Sequence, residues 1–394
     1  MESKKSNNKS PLTVLIEKFD DCDDFRDEAR INYTLVEILF LTFCASVTGS
    51  ETYTDIVDFG EAKLEWLRKF LPFKNGIPSH DTISRILGVL NTKQLEKVLI
   101  DFCRLTIKLP NGTLINIDGK KLRGSATKKE QQTKKTEGGK QAVNMVNVYC
   151  SVLESCLASV RVCSKTGEKN ALEDILLLLD FSECLLTFDA GYCYTDVAQQ
   201  VVDAKADYLI GLKENQPTLY TSAQGLLDNS PVTEVHVDEQ ENGHGRIEQR
   251  TCTLLNINNL DEELKEKYDG VFSKWTGLTS LIKVVCQRTV ISTGKTSAED
   301  RFYISSKNLS AQQANEIVRG HWKVENNLHW VLDAIMGEDR SKKRIGNSAA
   351  NFSIIKKLAF NHLKNYDDPK VSMNRKMRKC AMTEKYFENV LGIS

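Results

Sequence analysis

Two aspartates that close apolar strands, and one glutamate on an amphipathic stretch, are the residues whose types and spacing could do chemistry. Asp118 ends TLINID at 113–118, Asp189 ends ECLLTFD at 183–189, and Glu325 lies within RGHWKVENNLHWVLDAIMGED at 319–339. On an α-helix, positions four apart stand one above the other, so His321, Glu325 and His329 are predicted to share a face with Leu328 and Leu332. A helix packed on a sheet could then aim Glu325 at the strand ends bearing Asp118 and Asp189. Converging carboxylates repel one another unless a cation joins them, and magnesium or manganese prefers carboxylate oxygen and water. Two such ions about 4 Å apart would activate a water or a 3′-hydroxyl and stabilise the leaving oxygen of an in-line phosphoryl displacement. The same helix face allows a zinc site through His321, Glu325 and His329, although it lacks the HExxH spacing and shows no further ligand. Hydrogen-bonded histidines on a half-buried face are the plainer alternative, with Trp322 and Trp330 in the core.

The elements that must position these residues follow from periodicity. Residues up to about 108 read as helices: NYTLVEILFLTFCASVTG, TDIVDFGEAKLEWLRKFL, then NGIPSHDTISRILGVL with Ser79 or Asp81 as cap, and TKQLEKVLIDFCRLTI. After the turn Leu109-Pro110-Asn111-Gly112 the pattern becomes three strands, a helix, a strand, a helix and a strand, the first strand ending on Asp118. That order predicts an α/β, ribonuclease-H-like core, a mixed sheet flanked by helices. Alternating segments between about 215 and 306 predict a β-rich insertion before the last catalytic helix, which should start near Ser310 and run through Met336. The expected divisions are thus an all-helical unit at 1–108, a catalytic domain at 109–365, and a basic tail at 366–394.

Composition narrows the class. The 394 residues are 41% hydrophobic and 27% charged, with zero formal net charge, which suits a globular chain of two or three units. No apolar run approaches the roughly 20 residues of a membrane helix, the amino terminus lacks a secretory signal, and the eleven cysteines contain no CxxC pair. A cytoplasmic protein with free thiols is expected. Charge is uneven nonetheless. Lys120, Lys121, Arg123, Lys128, Lys129, Lys134, Lys135 and Lys140 face only two acids between Gly119 and Lys140, and RSKKR occupies 340–344. Both runs adjoin candidate carboxylates, which favours phosphate contacts over solvated loops.

The stretches NGIPSHDTISRIL (75–87), INIDGKKLRGS (115–125), LLTFDAGYC (185–193), DYLIGLKENQ (207–216), GHGRIEQRT (243–251) and RGHWKVENNLHWVLDAIMGEDRSKKR (319–344) together carry a specific resemblance. The sequence resembles the H-repeat-associated insertion-sequence transposases, members of the DDE group with a ribonuclease-H-like catalytic domain. The resemblance implies that Asp118, Asp189 and Glu325 are the catalytic, metal-binding carboxylates, served by Mg2+ or Mn2+. It further implies double-stranded DNA as partner, contacted by Lys120, Lys121, Arg123, Lys213, His321, Arg340, Lys343 and Arg344, and a homodimer on paired element ends. Two departures stand out. Gly191 and Tyr192 follow Ala190 where the family commonly has Met-Gly-Cys, and His321 occupies the place of an arginine four residues before the glutamate. The expected activity is metal-dependent cleavage and strand transfer at the element's ends. A DNA-binding regulator descended from such an enzyme, or a nuclease without strand transfer, are the alternatives. The helical unit, with Arg85 and Lys93, is expected to help recognise those ends.

Overall fold

The computed structural model describes residues 9–126, 141–162, 167–231, 233–243 and 245–393. Its strands are β1 (Leu114–Leu122), β2 (Val143–Cys150), β3 (Ser155–Val162), β4 (Leu185–Phe188), β5 (Asp207–Leu212), β6 (Glu234–Val237), β7 (Glu241–Gly243), β8 (Arg246–Asn256), β9 (Ser280–Val290) and β10 (Thr296–Ser305). They belong to a mixed α/β fold. The chain divides into two compact units, one made of 1–108, 119–171 and 325–394, the other of 109–118 and 172–324.

The first unit is built around the helix Ser348–Asn365, which is buried along almost its whole length. Leu35–Val47 and Thr92–Thr106 pack on it, and His362 sits between the rings of Phe43 and Phe102. Its amino-terminal helices start where the sequence supplies caps. Thr34 with Glu37, and Thr52 with Asp55, form reciprocal capping boxes. Ser79, rather than Asp81, accepts from Thr82 N to begin His80–Val89. β2 and β3 pair antiparallel. Residues 366–394, expected as a basic tail, instead form the helices Met373–Met382 and Glu384–Leu391. Lys376 there is buried, donating to the carbonyls of Leu363 and Tyr366.

The second unit carries the strand order β1-β4-β5-β10-β9-β8-β6, with β7 beside β8. β1, β4 and β5 run parallel, while β10 joins β5 antiparallel. The β-rich segment therefore extends the same sheet. Its core is Leu185, Leu209, Cys252, Leu254, Ile282, Val284 and Tyr303, capped by Ala311, Ala314 and Val318 of the helix Ala311–His321. That helix begins as read, Ser310 and Gln313 forming a capping box. β1 does not stop at Asp118. Lys120 and Leu122 are buried on alternate positions, so burial continues along one face and the strand runs on to Leu122. No helix among the described residues is long and apolar enough to cross a membrane.

Candidate active site

In the parallel pair β1 and β4, Asn116 stands opposite Thr187 and Ile117 opposite Phe188. Asp118 follows on β1, and Asp189 is the first residue past β4. Neighbouring strands run about 5 Å apart at the backbone, so the second unit brings the two aspartates to adjacent chain positions at the carboxyl end of β4. Asp189 is extended and its Oδ1 accepts from Gly191 N at 2.9 Å, turning the chain into the 3-10 segment Ala190–Tyr192. A Cβ at Gly191 would lie 3.0 Å from Asp189 Oδ1, so the small residue spares the carboxylate a contact. Asn215 Nδ2 donates to Ala190 O at 2.9 Å and Gln216 Nε2 to Cys193 O at 2.8 Å, fixing this loop from the end of β5. The Gly191-Tyr192 departure thus has a defined shape, with Tyr192 buried against Phe188.

Two residues before each aspartate lies a polar floor. Asn116 Nδ2 donates to Thr187 Oγ1 at 2.9 Å and to Gly320 O at 3.3 Å, and Thr187 Oγ1 is 2.9 Å from His321 Nδ1. Asn116 and Thr187 are fully buried. Burial pushes the His321 imidazole down to about 4, against the pull of the Asp189 charge, so it is neutral at physiological pH. These bonds tie the end of the helix Ala311–His321 to the strands that bear the aspartates.

The expected continuous α-helix through Met336 is not what forms. The α-helical part stops at His321, and Val324–His329 and Val331–Ile335 are π-helical. Each hydrogen-bonded turn there holds one residue more, so the His321, Glu325, His329 alignment computed at 3.6 residues per turn does not apply. Glu325 lies in the first π turn. Single π turns inside helices recur at functional sites. His329 Nε2 is 3.0 Å from Asn147 Nδ2, and Asn147 Oδ1 accepts from Ser159 Oγ at 2.8 Å. The histidine is hydrogen-bonded rather than set for zinc, and no group of three or more His, Cys, Asp or Glu among the described residues is arranged around a metal position. The tryptophans differ from expectation as well. Trp322 is 37% and Trp330 58% exposed, and the Arg301 guanidinium lies 4.6 Å from the Trp322 ring centroid.

The basic residues sort into two groups. Lys120 is 5% exposed, with Nζ 2.5 Å from Asp333 Oδ1 and 3.3 Å from Glu338 Oε2. Lys343 lies over the rings of Phe352 and Tyr53 and donates to Glu51 O at 2.6 Å, and burial with the charge of Lys356 lowers it to about 7. Both corrections have one cause: these ammonium groups are enclosed and partnered, so they are not surface cations for phosphate. Lys121 and Lys213 are exposed, as are Arg123 at 78% and Arg340 at 64%. Arg123 Nε lies 3.9 Å from Asp339, and the half-buried Arg344 donates to Gly124 O, so within the first unit residues 121–124 and 339–344 form one basic surface. Lys128, Lys129, Lys134, Lys135 and Lys140 lie outside the described residues. What sequence reading missed is the acidic partner of the buried lysines. Glu338 accepts from Ser353 Oγ at 2.6 Å and pairs with Lys357 at 3.5 Å; its only signal was the acid pair closing IMGED.

Residues 16–103 match the model described as DDE_Tnp_1-associated, and 110–362 the model described as Transposase DDE domain. The class these matches define is the DDE transposases. Within it, the chain belongs to the H repeat-associated family. It is 36% identical over 375 residues to YncI of Escherichia coli O157:H7, named as a transposase, spanning 94% of this chain and 92% of that protein. It is 33% identical over 389 residues to YhhI of Escherichia coli strain K12, named as an H repeat-associated transposase, spanning 97% and 98%. A solved piggyBac transposase synaptic complex with hairpin DNA aligns over 98% of this chain and 81% of that one, at 11% identity and a TM-score of 0.43.

Proposed function

We propose that this transposase cleaves DNA at the ends of its own element and joins those ends to target DNA, with Asp118, Asp189 and Glu325 as its essential carboxylates. The observation that supports the reading is the register of β1 and β4, whose last pair, Ile117 and Phe188, is followed directly by Asp118 and Asp189, next to the buried Asn116–Thr187 hydrogen bond. Two adjacent carboxylates are hard, acceptor-only oxygen donors and fit a divalent cation such as Mg2+ or Mn2+. When bound, such ions activate the attacking oxygen and stabilise the leaving one. The chain's own part is placement. Asn116, Thr187 and the neutral His321 hold the strand ends and the helix end together without adding a charge that would compete for the carboxylates. Lys121, Arg123, Arg340 and Arg344 form the surface proposed to seat the phosphate backbone, with Lys213 beyond β5. The helices up to residue 108 are proposed to read the element ends through the exposed Arg85 and Lys93, and two copies to act on paired ends.

The test is strand transfer in vitro with paired element-end DNA and Mg2+ or Mn2+. Joined product is the expected result. Cleavage without joining would make the protein a nuclease, and binding without cleavage a regulator.

Neutralising the surface cations gives a second expected result. Lys121→Gln, Arg123→Gln and Arg340→Gln combined should lower the slope of log K against log salt by about three, since each phosphate contact contributes roughly 0.9. Binding measured across a salt series checks this, and an unchanged slope assigns the three side chains to solubility.

A further inference from the structure

Asn116, Asp118, Lys120 and Leu122 share a face of β1, because strand side chains two apart point the same way. Within the first unit, the enclosed Lys120 ammonium meets three successive points of the segment that follows Glu325. It donates to His329 O at 3.4 Å, pairs with Asp333 Oδ1 at 2.5 Å and lies 3.3 Å from Glu338 Oε2. His329 ends the first π turn, Asp333 lies in the second, and Glu338 follows it. π turns are rare and occur mostly as single-turn bulges inside α-helices, so contacts from outside are needed to set the register of two in succession. The His329 ring, hydrogen-bonded to Asn147 of β2, is a further anchor on the same turn. An ammonium that has shed water for two carboxylates and a carbonyl is costly to extract. It is therefore built into the scaffold rather than offered to DNA.

We propose that Lys120, with Asp333 as counter-charge, is a positioning residue that holds the π-helical segment in register on β1 and thereby orients Glu325. The inference rests on the transposase reading for its effect on activity, but its structural half does not.

Lys120→Met, Lys120→Arg, Asp333→Asn and the Lys120→Met/Asp333→Asn double variant test it in the full-length chain, by amide hydrogen exchange over 324–338 and by single-turnover cleavage of element-end DNA. Lys120→Met should speed exchange in that segment by about tenfold or more, and lower cleavage at saturating DNA by about 10- to 100-fold, since misplacement by 1 Å can cost about 10². DNA affinity and its salt slope should stay unchanged. Lys120→Arg should recover much of both losses, and the double variant should be no worse than Lys120→Met. Exchange within twofold of wild type in a folded Lys120→Met protein overturns the clamp. So does weaker DNA binding with a salt slope reduced by about one, which would make Lys120 a phosphate contact. If Lys120→Met does not fold, Lys120→Arg and Asp333→Asn carry the same comparison, and unchanged exchange in Asp333→Asn is the overturning result. A wild-type protein that cleaves no DNA would sink the transposase reading, while the exchange data would still decide the clamp.

Discussion

Replacing Asp118 or Asp189 by asparagine, or Glu325 by glutamine, is expected to lower strand cleavage by about 10³-fold or more, because the amide keeps the shape and removes the charge that holds a divalent ion. DNA affinity should change by less than about twofold, since the phosphate contacts proposed here lie on other side chains. Stability supplies an independent check with the opposite sign. Asp118 and Asp189 follow the paired residues Ile117 and Phe188 on neighbouring parallel strands, and like charges at that spacing oppose folding in the absence of metal. Asp189→Asn should therefore be as stable as the metal-free wild type or more so. The capping bond from Gly191 N to Asp189 Oδ1 survives in Asp189→Asn, whose amide oxygen accepts equally well. Single-turnover cleavage of labelled end DNA, fluorescence anisotropy for binding and urea denaturation without metal give the three readouts. Near-normal cleavage by any one variant removes that residue from the proposed set, and a large loss of stability would mark it as structural.

Several parts of this picture were legible in the sequence for definite physical reasons. Ser310 followed three residues later by Gln313 is a capping box that fixes a helix start by itself. Asp189 closes four buried residues and is followed by Ala190 and Gly191, so the end of β4 is local information. Asp118 misled because lysines at 120 and 121 read as the polar end of a strand, whereas Lys120 is buried against acids some 210 residues away in the chain. The π turns were illegible for a related reason. Hydrophobic spacing in VENNLHWVLDAI fits 3.6 residues per turn well enough, with Leu328 and Leu332 buried either way, and the contacts expected to impose the wider turn come from elsewhere in the chain. Lys343, Lys356 and Lys357 illustrate the limit of reading charge as exposure: a lysine is normally a surface residue, and only the partner groups reveal the exception.

Those partners set the other large effect. Glu338→Gln is expected to destabilise the protein by about 3 kcal/mol or more, the loss typical when one member of a buried ion cluster is removed. Glu338 is buried between Lys357 at 3.5 Å and Lys120 at 3.3 Å, and Ser353 Oγ donates to it at 2.6 Å. Burial alone would raise its pKa, but the charges of Lys357 and Lys120 outweigh it and hold the carboxyl at about 2. Because that value lies below the ordinary 4.5, the stabilisation is fully present above about pH 4.5 and is lost as pH falls towards 2. Wild type and variant should therefore converge in stability on acidification. The alkaline side runs the other way. Lys356 is lowered to about 8, chiefly by burial, with Glu338 opposing the shift, so between about 8 and 10.5 the unfolded chain binds more protons and stability rises with pH. Without Glu338 the Lys356 pKa falls further and this rise begins at lower pH, so the variant should recover part of its loss between pH 7 and 9. Urea midpoints at pH 4, 7 and 9 test each sign. A variant within about 0.5 kcal/mol of wild type at pH 7 would show that the lysines around Glu338 are satisfied without it, well short of the loss expected for a buried charge left uncompensated.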